Sequence, residues 1–446
     1  MANEFIEILT KHFDSNKDYF IKKFSDEEYN FRRKAFESFI NQDLPTRKTE
    51  DWKYTPLNFL YKNNFIPVIE PEKVDLPENI IQKINEISLK NNLLVYINGK
   101  ISKEYSQMKS NDLKITSDFT LEIPKSDKYF EFQELDKFSK EFIHNPFADL
   151  SRALSIDSCL INVDSNIIIK NPLYLLNIFN TDSQSTVFNN SNYFCLGKNS
   201  ELKIIESNIC SGSNPCFVNK VNNIFAGDGS NIEYYQIQND AENMYQINEL
   251  NIYHKNNSNS RTFSISTSGK FTRNNLNVIL DGEGSSAEMN GFYITDSDRF
   301  ADNHTLALHN KPNCTSNEFY KGILDGHSTA VFNGKILVAY NAQKTNAYQT
   351  NKNILLSDEA TINSKPQLEI NADDVKCSHG ATSGYLNEEA LFYFRSRGID
   401  EKTAQAILLG AFANEISNRI TIDWLKEEIS DMVNNKLKID NRTANV

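Results

Sequence analysis

The sequence contains no G-x-x-x-x-G-K-[ST] phosphate loop, no G-x-G-x-x-G after a strand, no G-x-S-x-G elbow and no H-E-x-x-H. Common ATPases, dinucleotide dehydrogenases, α/β hydrolases and zinc proteases depend on those spacings, so their chemistry is disfavoured from the start. Cysteine is scarce: Cys159, Cys195, Cys210, Cys216, Cys314 and Cys377 in 446 residues. None forms a C-x-x-C pair, and five residues between Cys210 and Cys216 make a poor metal knuckle, so a disulfide framework is not expected. Positive charge is in deficit, 47 Lys and Arg against 59 Asp and Glu, giving a formal net charge of −12. With no basic block to neutralise phosphates, nucleic acid is not an expected partner. No run of about 18 apolar residues occurs, so no membrane span is expected. The opening residues, MANEFIEILTKHFDSNKDYF, mix both charges and lack the apolar core of a signal peptide. A reducing cytoplasm is the expected compartment.

A chain this long needs two or three domains or one elongated repeat array. Residues 1 to about 60 read as helical, then irregular. Phe5, Ile6, Leu9 and Phe13 recur at helical spacing, and SDEE sets a capping box in which Ser25 caps and Glu28 reaches back. TRKTEDWKYTPL, residues 46–57, reads as a surface loop anchored by Trp52 and Tyr54. Strand-like runs (LLVYING, LKITSDFTLEIP) follow, then a helix-like piece over residues 136–154.

From about Cys159 to Val375 the texture changes. Runs such as LINVDSNIIIK, NIEYYQIQ, RTFSISTS and AVFNGKILV alternate apolar with polar residues and are rich in β-branched and aromatic side chains. Turn clusters (GKNSE, GDGSN, KNNSN, DGEGSS, DGHST, SDEAT) mostly recur every 26 to 32 residues. Two or three short strands per unit at that period predict a β-solenoid, in which each coil buries its inner face only by stacking on its neighbours. A large β-sandwich or a pair of barrels is the competing architecture.

The last 60 residues return to helix. Asn387 is an N-cap, Glu388 and Glu389 suit the helix start, and Gly398 suits a left-handed C-cap. A second helix is capped by Asp400, with an apolar stripe of Ala404, Ile407, Leu408, Ala411, Phe412 and Ile416; a third uses Trp424, Leu425, Ile429 and Val433. Three such stripes cannot all be buried within so small a unit. They pack on the end of the solenoid or meet a partner.

Two constellations invite chemistry. DNHTLALHN offers Asp302, His304 and His309, but an odd spacing sends the two histidines to opposite faces of a strand. Cys377 and His379 are two apart and would share a face; thiolate and imidazole suit iron or zinc, yet two ligands do not complete a shell. Asp281, Asp325 and Asp358 recur near turn tips, as a glycan-cleaving solenoid would require and as tight turns select in any case.

Residues 348–416, YQTNKNILLSDEATINSKPQLEINADDVKCSHGATSGYLNEEALFYFRSRGIDEKTAQAILLGAFANEI, resemble the C-terminal core of the SufB/SufD family, scaffolds of the SUF iron–sulfur cluster assembly machinery. TSNEFYKGILDGHSTAVFNGKILVAYNAQKTNAYQTN, upstream, is similar to the last coils of that family. TRKTEDWKYTPL, and CSHGAT where the SufB branch has a glutamate-containing motif resembling EHEAT, place the likeness on the SufD side.

The resemblance implies a mainly β fold: a right-handed parallel β-helix over residues 156–376, flanked by an N-terminal helical region with short strands (1–155) and a C-terminal helical region (377–446). It implies a non-catalytic scaffold that pairs with SufB through the β-helix, docks the SufC ATPase through the C-terminal helices and binds no nucleotide itself. A homodimer is the implied state without SufB. It further implies a transient iron–sulfur cluster or iron at the SufB interface, held in part by His379 and Cys377. Leu391, Phe392, Ile407, Leu408, Ala411 and Phe412 would supply the SufC dock. A stand-alone β-helix enzyme acting on polysaccharide, and a purely structural module in which His379 does nothing, are the alternatives.

Overall fold

The computed structural model describes residues 2–71, 73–116, 145–239 and 241–437. Its body is a β-solenoid of about eight turns, each coil contributing one strand to each of two facing sheets. The first sheet runs Leu113–Thr116, Cys159–Val163, Thr186–Leu196, Cys216–Ala226, Met244–His254, Phe271–Leu280, Phe300–His309, Thr329–Val338 and Thr361–Ile370, with Ile66–Pro67 paired onto Thr186–Leu196. The second runs Lys100–Ile101, Asn92–Ile97, Leu173–Asn180, Glu201–Ser211, Asn231–Gln238, Asn259–Ser266, Ser286–Thr295, Thr315–Leu324, Thr345–Leu355 and Val375–Gly384. From Leu173–Asn180 onward every neighbouring pair is parallel and in unbroken register. At the N-terminal end, short antiparallel pairs (Leu113–Thr116 on Cys159–Val163, Lys100–Ile101 on Asn92–Ile97) close the stack.

The period is fixed at one turn line. Asn166, Asn199, Gly229, Asn257, Gly284, Asn313 and Lys344 all have positive φ, 27 residues apart from Asn257 to Gly284 and 33 from Asn166 to Asn199. Asn and Gly tolerate that left-handed conformation best, which is why they recur where the chain reverses. Each coil comprises two strands of about ten residues, at the lower end of the expected two or three.

Between the sheets lies a continuous core that includes Leu175, Ile204, Tyr234, Met289, Tyr293, Tyr320, Phe332 and Ala347. Its apolar columns are interrupted by a buried ion pair, Lys220 Nζ to Glu206 Oε1 at 2.9 Å, which also engages Asn208, Asn222 and Tyr234. Such a pair is stable in a low-dielectric interior only because surrounding hydrogen bonds satisfy both charges.

Each sheet's outer face carries one helical layer. Ala2–Ser15, Asp26–Asn41 and Pro146–Leu154 pack on Val187, Phe217, Ile247 and Phe271 of the first sheet. Ser25 caps Asp26–Asn41 through the Glu28 backbone N–H, but the Glu28 carboxylate turns to Arg32 instead of reaching back. The 46–57 loop is anchored as expected by Trp52, 1% exposed, whereas Tyr54 stays on the surface. The expected helix over 136–154 is seen as Pro146–Leu154 and the expected strand over 113–124 as Leu113–Thr116; the rest of both lies outside the described residues.

The C-terminal helices Glu388–Ser396, Glu401–Ser417 and Asp423–Lys436 follow the solenoid. Leu409, Ala413, Ile416, Leu425, Ile429 and Val433 bury against Ile205, Tyr235, Phe263, Phe292 and Phe319 on the outer face of the second sheet. These side chains therefore pack on the solenoid's flank, where the stripes alone offered its end or a partner. At about 1.5–3 kcal/mol for each large apolar side chain buried, this contact is ample to fix the last two helices. The boundary placed at 376/377 also moves: the solenoid continues to Gly384, and the first helix opens at Glu388. Likewise Asn92–Ile97 and Leu113–Thr116, assigned to the N-terminal region, extend the two sheets.

Candidate functional site

Strand alternation decides the geometry of the expected site. Val375–Gly384 is the last strand of the second sheet and pairs on one side only, with Thr345–Leu355. Its fellow edge strand in the first sheet is Thr361–Ile370, and both are much more exposed than the strands behind them. The solenoid thus ends on two open edges whose outer backbone groups have no strand partner.

Cys377 packs against the core between the sheets, and His379, two residues on, shares its face at the solvent-exposed rim. The sequence expectation that these two side chains point the same way holds. Burial pushes the Cys377 thiol up, and its backbone contact with Ala347 only partly opposes this, so in the isolated chain it is a weaker thiolate donor than a free cysteine. Asp374 bonds through its backbone to Gln343 and Lys344, at 2.9 and 2.6 Å, so it fastens the preceding turn. Among the described residues, no three His, Cys, Asp or Glu side chains gather closely enough to hold a metal. Cys377 and His379 are half a coordination shell at an open edge.

Behind His379 stands a column the sequence reading missed. Glu318, Gln349 and His379 are in register across Thr315–Leu324, Thr345–Leu355 and Val375–Gly384, all facing the space between the sheets. Gln349 Nε2 donates to Glu318 Oε2 at 2.6 Å, and Thr305 Oγ1 donates to the same oxygen at 2.9 Å from the opposite sheet. Burial lifts the Glu318 carboxyl to about 7, against those two hydrogen bonds. Gln349 Oε1 is buried and has no hydrogen-bond partner. The spacings of 31 and 30 residues are the coil period, so pairing residues one coil apart would have exposed the column.

The expected docking residues divide. Asn387 caps Glu388–Ser396 by accepting from the Ala390 N–H at 3.0 Å, Asp400 caps the next helix through Thr403, and Gly398 takes the left-handed C-cap at φ +83°. No side chain of Glu388–Ser396 is buried: Phe392 is 73% exposed, Tyr393 56%, and Leu391 is half-buried. On Glu401–Ser417, Ile407 and Leu408 are half-buried and Ala411 is exposed. Phe412 instead faces the solenoid, with Lys321 Nζ 3.7 Å from its ring centre and 2.7 Å from its backbone oxygen. Tyr393 was not foreseen; it lies one residue from Phe392 on the same uncovered helix.

The other polar groups have structural work. Asp302 is buried between Arg273 Nη1 at 2.8 Å and His304 Nε2 at 3.0 Å, and Arg273 lies 3.7 Å over the Trp52 ring. This cluster pins the 46–57 loop to the first sheet. His309 faces the opposite way, into the core, where Ser316 bonds its Nε2 at 2.8 Å. Asp281 follows a first-sheet strand, whereas Asp325 and Asp358 follow second-sheet strands, so the three carboxylates do not form one row. No described helix is long and apolar enough to cross a membrane.

Comparison with known proteins agrees with this geometry. Residues 178–412 match the SufBD core domain of the SUF system of iron–sulfur cluster assembly, and residues 4–175 match the SufBD N-terminal region. A SufBD family iron–sulfur cluster assembly protein of Synechocystis is 30% identical over 414 residues, covering 91% of this chain and 90% of that one. The iron–sulfur cluster assembly protein SufD of Escherichia coli is 29% identical over 409 residues, with 90% and 91% covered. The chloroplastic protein ABCI7 of Arabidopsis thaliana is 27% identical over 421 residues, with 91% and 85% covered. With both family regions present in order and together covering most of residues 4–412, the chain belongs to the SufBD family of iron–sulfur cluster assembly proteins and is SufD-like within it.

Proposed function

We propose that this chain is a non-catalytic scaffold subunit of a SUF assembly complex, pairing with a SufB-like subunit through the open end of its solenoid. The observation that carries the reading is the placement of Cys377 and His379, side by side on an edge strand and short of a full shell. Iron or a nascent iron–sulfur cluster is the cargo of that junction, with His379 as the ligand offered from this side. Imidazole is a good ligand for iron, and an edge strand can meet a second edge by backbone pairing. Cys377 is the weaker candidate, because burial disfavours its thiolate. Without SufB, the same open end would pair two copies of this chain.

SufC-like ATPase subunits dock on the uncovered helix Glu388–Ser396 and the adjoining side of Glu401–Ser417. Phe392, Leu391, Ile407, Leu408 and Ala411 are available there, whereas Phe412 is engaged with Lys321. This chain binds no nucleotide in this reading, and it works in the cytoplasm.

The test is anaerobic co-expression with SufB- and SufC-like proteins from the same source. Mass photometry should show one SufB, one of this chain and two SufC. His379→Ala should leave that assembly intact while lowering its iron and sulfide content. A chain that remains alone, or a cluster indifferent to His379, refutes the reading.

A further inference from the structure

We infer that Gln349 and Glu318 are positioning residues for His379: the Gln349 side-chain carbonyl accepts one imidazole N–H and so fixes which ring nitrogen faces outward with a free lone pair. Three observations support this. First, His379 is the register partner of Gln349 on the neighbouring strand, so the two side chains stack on one face about 5 Å apart. Second, the Gln349 amide cannot rotate freely. Its nitrogen is held by Glu318 Oε2 at 2.6 Å, which leaves Oε1 directed away, 1% exposed at the residue level and unpartnered. A buried amide oxygen without a donor is unfavourable, and the imidazole of His379 is the donor that the register places beside it on the neighbouring strand. Third, room for the arrangement is made by Gly334 in the facing sheet. A Cβ there would meet Gln349 Nε2 at 1.9 Å and Glu318 Oε2 at 2.9 Å.

With the inferred bond from the His379 N–H to the Gln349 oxygen made, the donors run one way, since the Gln349 N–H and the Thr305 O–H both donate to the Glu318 carboxylate. An acceptor behind a ligating histidine fixes its tautomer and ring orientation. Its significance for cluster assembly rests on the function proposed above; the tautomer itself does not.

The experiment labels the seven histidines with nitrogen-15 in the full-length chain and reads side-chain nitrogen shifts at pH 8, assigning His379 by His379→Asn. Wild type should show His379 as a single tautomer. Gln349→Met, which keeps the shape and removes the acceptor, should give a mixture of both. Glu318→Gln keeps an acceptor for the Gln349 N–H and should preserve the single form. Gly334→Ala should reproduce the mixture by displacing Gln349 without altering the column's own residues. A tautomer mixture in wild type overturns the inference without any variant having to fold. So does a single tautomer that survives Gln349→Met. In the assembled complex, Gln349→Met should weaken iron retention roughly 10–100-fold. If iron proves indifferent to His379→Ala while the tautomer responds as stated, the iron role fails and the positioning stands.

Discussion

Lys321 is the hinge pin between the solenoid and its C-terminal helices. Its side chain is fully buried, its ammonium donates to the Phe412 backbone oxygen at 2.7 Å and sits 3.7 Å from the Phe412 ring centre, and Glu415 Oε2 lies 3.0 Å away. Burial lowers the lysine pKa, and Glu415 opposes that shift. Lys321→Met keeps the aliphatic stem and removes the charge. The lost hydrogen bond from a charged donor contributes about 1.5–3 kcal/mol. The cation–π contact adds about 1 kcal/mol. The half-exposed Glu415 adds under about 1 kcal/mol. Relief from burying an ammonium opposes all three, so a net local loss of roughly 1.5–3 kcal/mol is expected. At about 1.4 kcal/mol per tenfold, amides in Glu401–Ser417 should exchange roughly 10–100 times faster in native-state hydrogen exchange. Amides in Met244–His254, a first-sheet strand two coils before the one that carries Lys321, serve as the control and should be unchanged. Equal exchange in wild type and variant would show that the helix is held by its apolar face alone. A parallel rise in the control strand would mean that Lys321 supports the whole stack.

Two further perturbations test the interior. His254 is buried between Ser258 and Ser260 at 2.8 and 2.9 Å, and burial depresses its pKa to about 3. The unfolded chain takes up that proton at the ordinary value of 6.5, so this contribution to stability is complete above 6.5 and is lost as pH falls toward 3. Between pH 7 and 4.5, the stability advantage of wild type over His254→Gln should shrink by roughly 3 kcal/mol, two pH units at about 1.4 each, in urea unfolding. A constant advantage would contradict a neutral buried imidazole. Asp302→Ala leaves Arg273 buried with its ion partner removed, which should lower stability by about 3–5 kcal/mol and release the 46–57 loop to protease. Undiminished thermal stability with an intact loop would show that Trp52 packing suffices.

What could be read in advance was what repeats or caps. Asn387, Asp400 and Gly398 act within three residues of themselves, so local chemistry announces them. The left-handed Asn and Gly of each turn recur at the coil period and made the solenoid legible. Cys377 and His379 share a face because alternation along one strand guarantees it. Glu318 and Gln349 went unseen because their partners are one coil away or in the opposite sheet. Lys321 reads as a surface lysine, since nothing local shows that a helix some ninety residues later will cover it. The stripe on Glu401–Ser417 was misdivided for another reason. Apolar residues surround that helix almost completely, so spacing alone cannot tell Leu409, Ala413 and Ile416, which face the sheet, from Ile407 and Leu408 beside them.

The one-strand-per-coil register makes the solenoid a gauge of length. Neighbouring strands lie about 4.8 Å apart, and the Lys321 strand is two strands from the one that carries His379. The helix anchor and the histidine are thus separated by roughly 10 Å across the sheet, a short rigid arm whose stiffness comes from continuous backbone pairing. A coil added between them would lengthen that reach by one strand spacing while leaving the surfaces at both ends intact. The same coil added on the far side of Lys321 would leave the arm unchanged but would fall among the strands that seat the helices, from Ile205 to Phe319. The number of coils between Lys321 and His379 therefore sets the reach of the histidine without any change at the histidine itself.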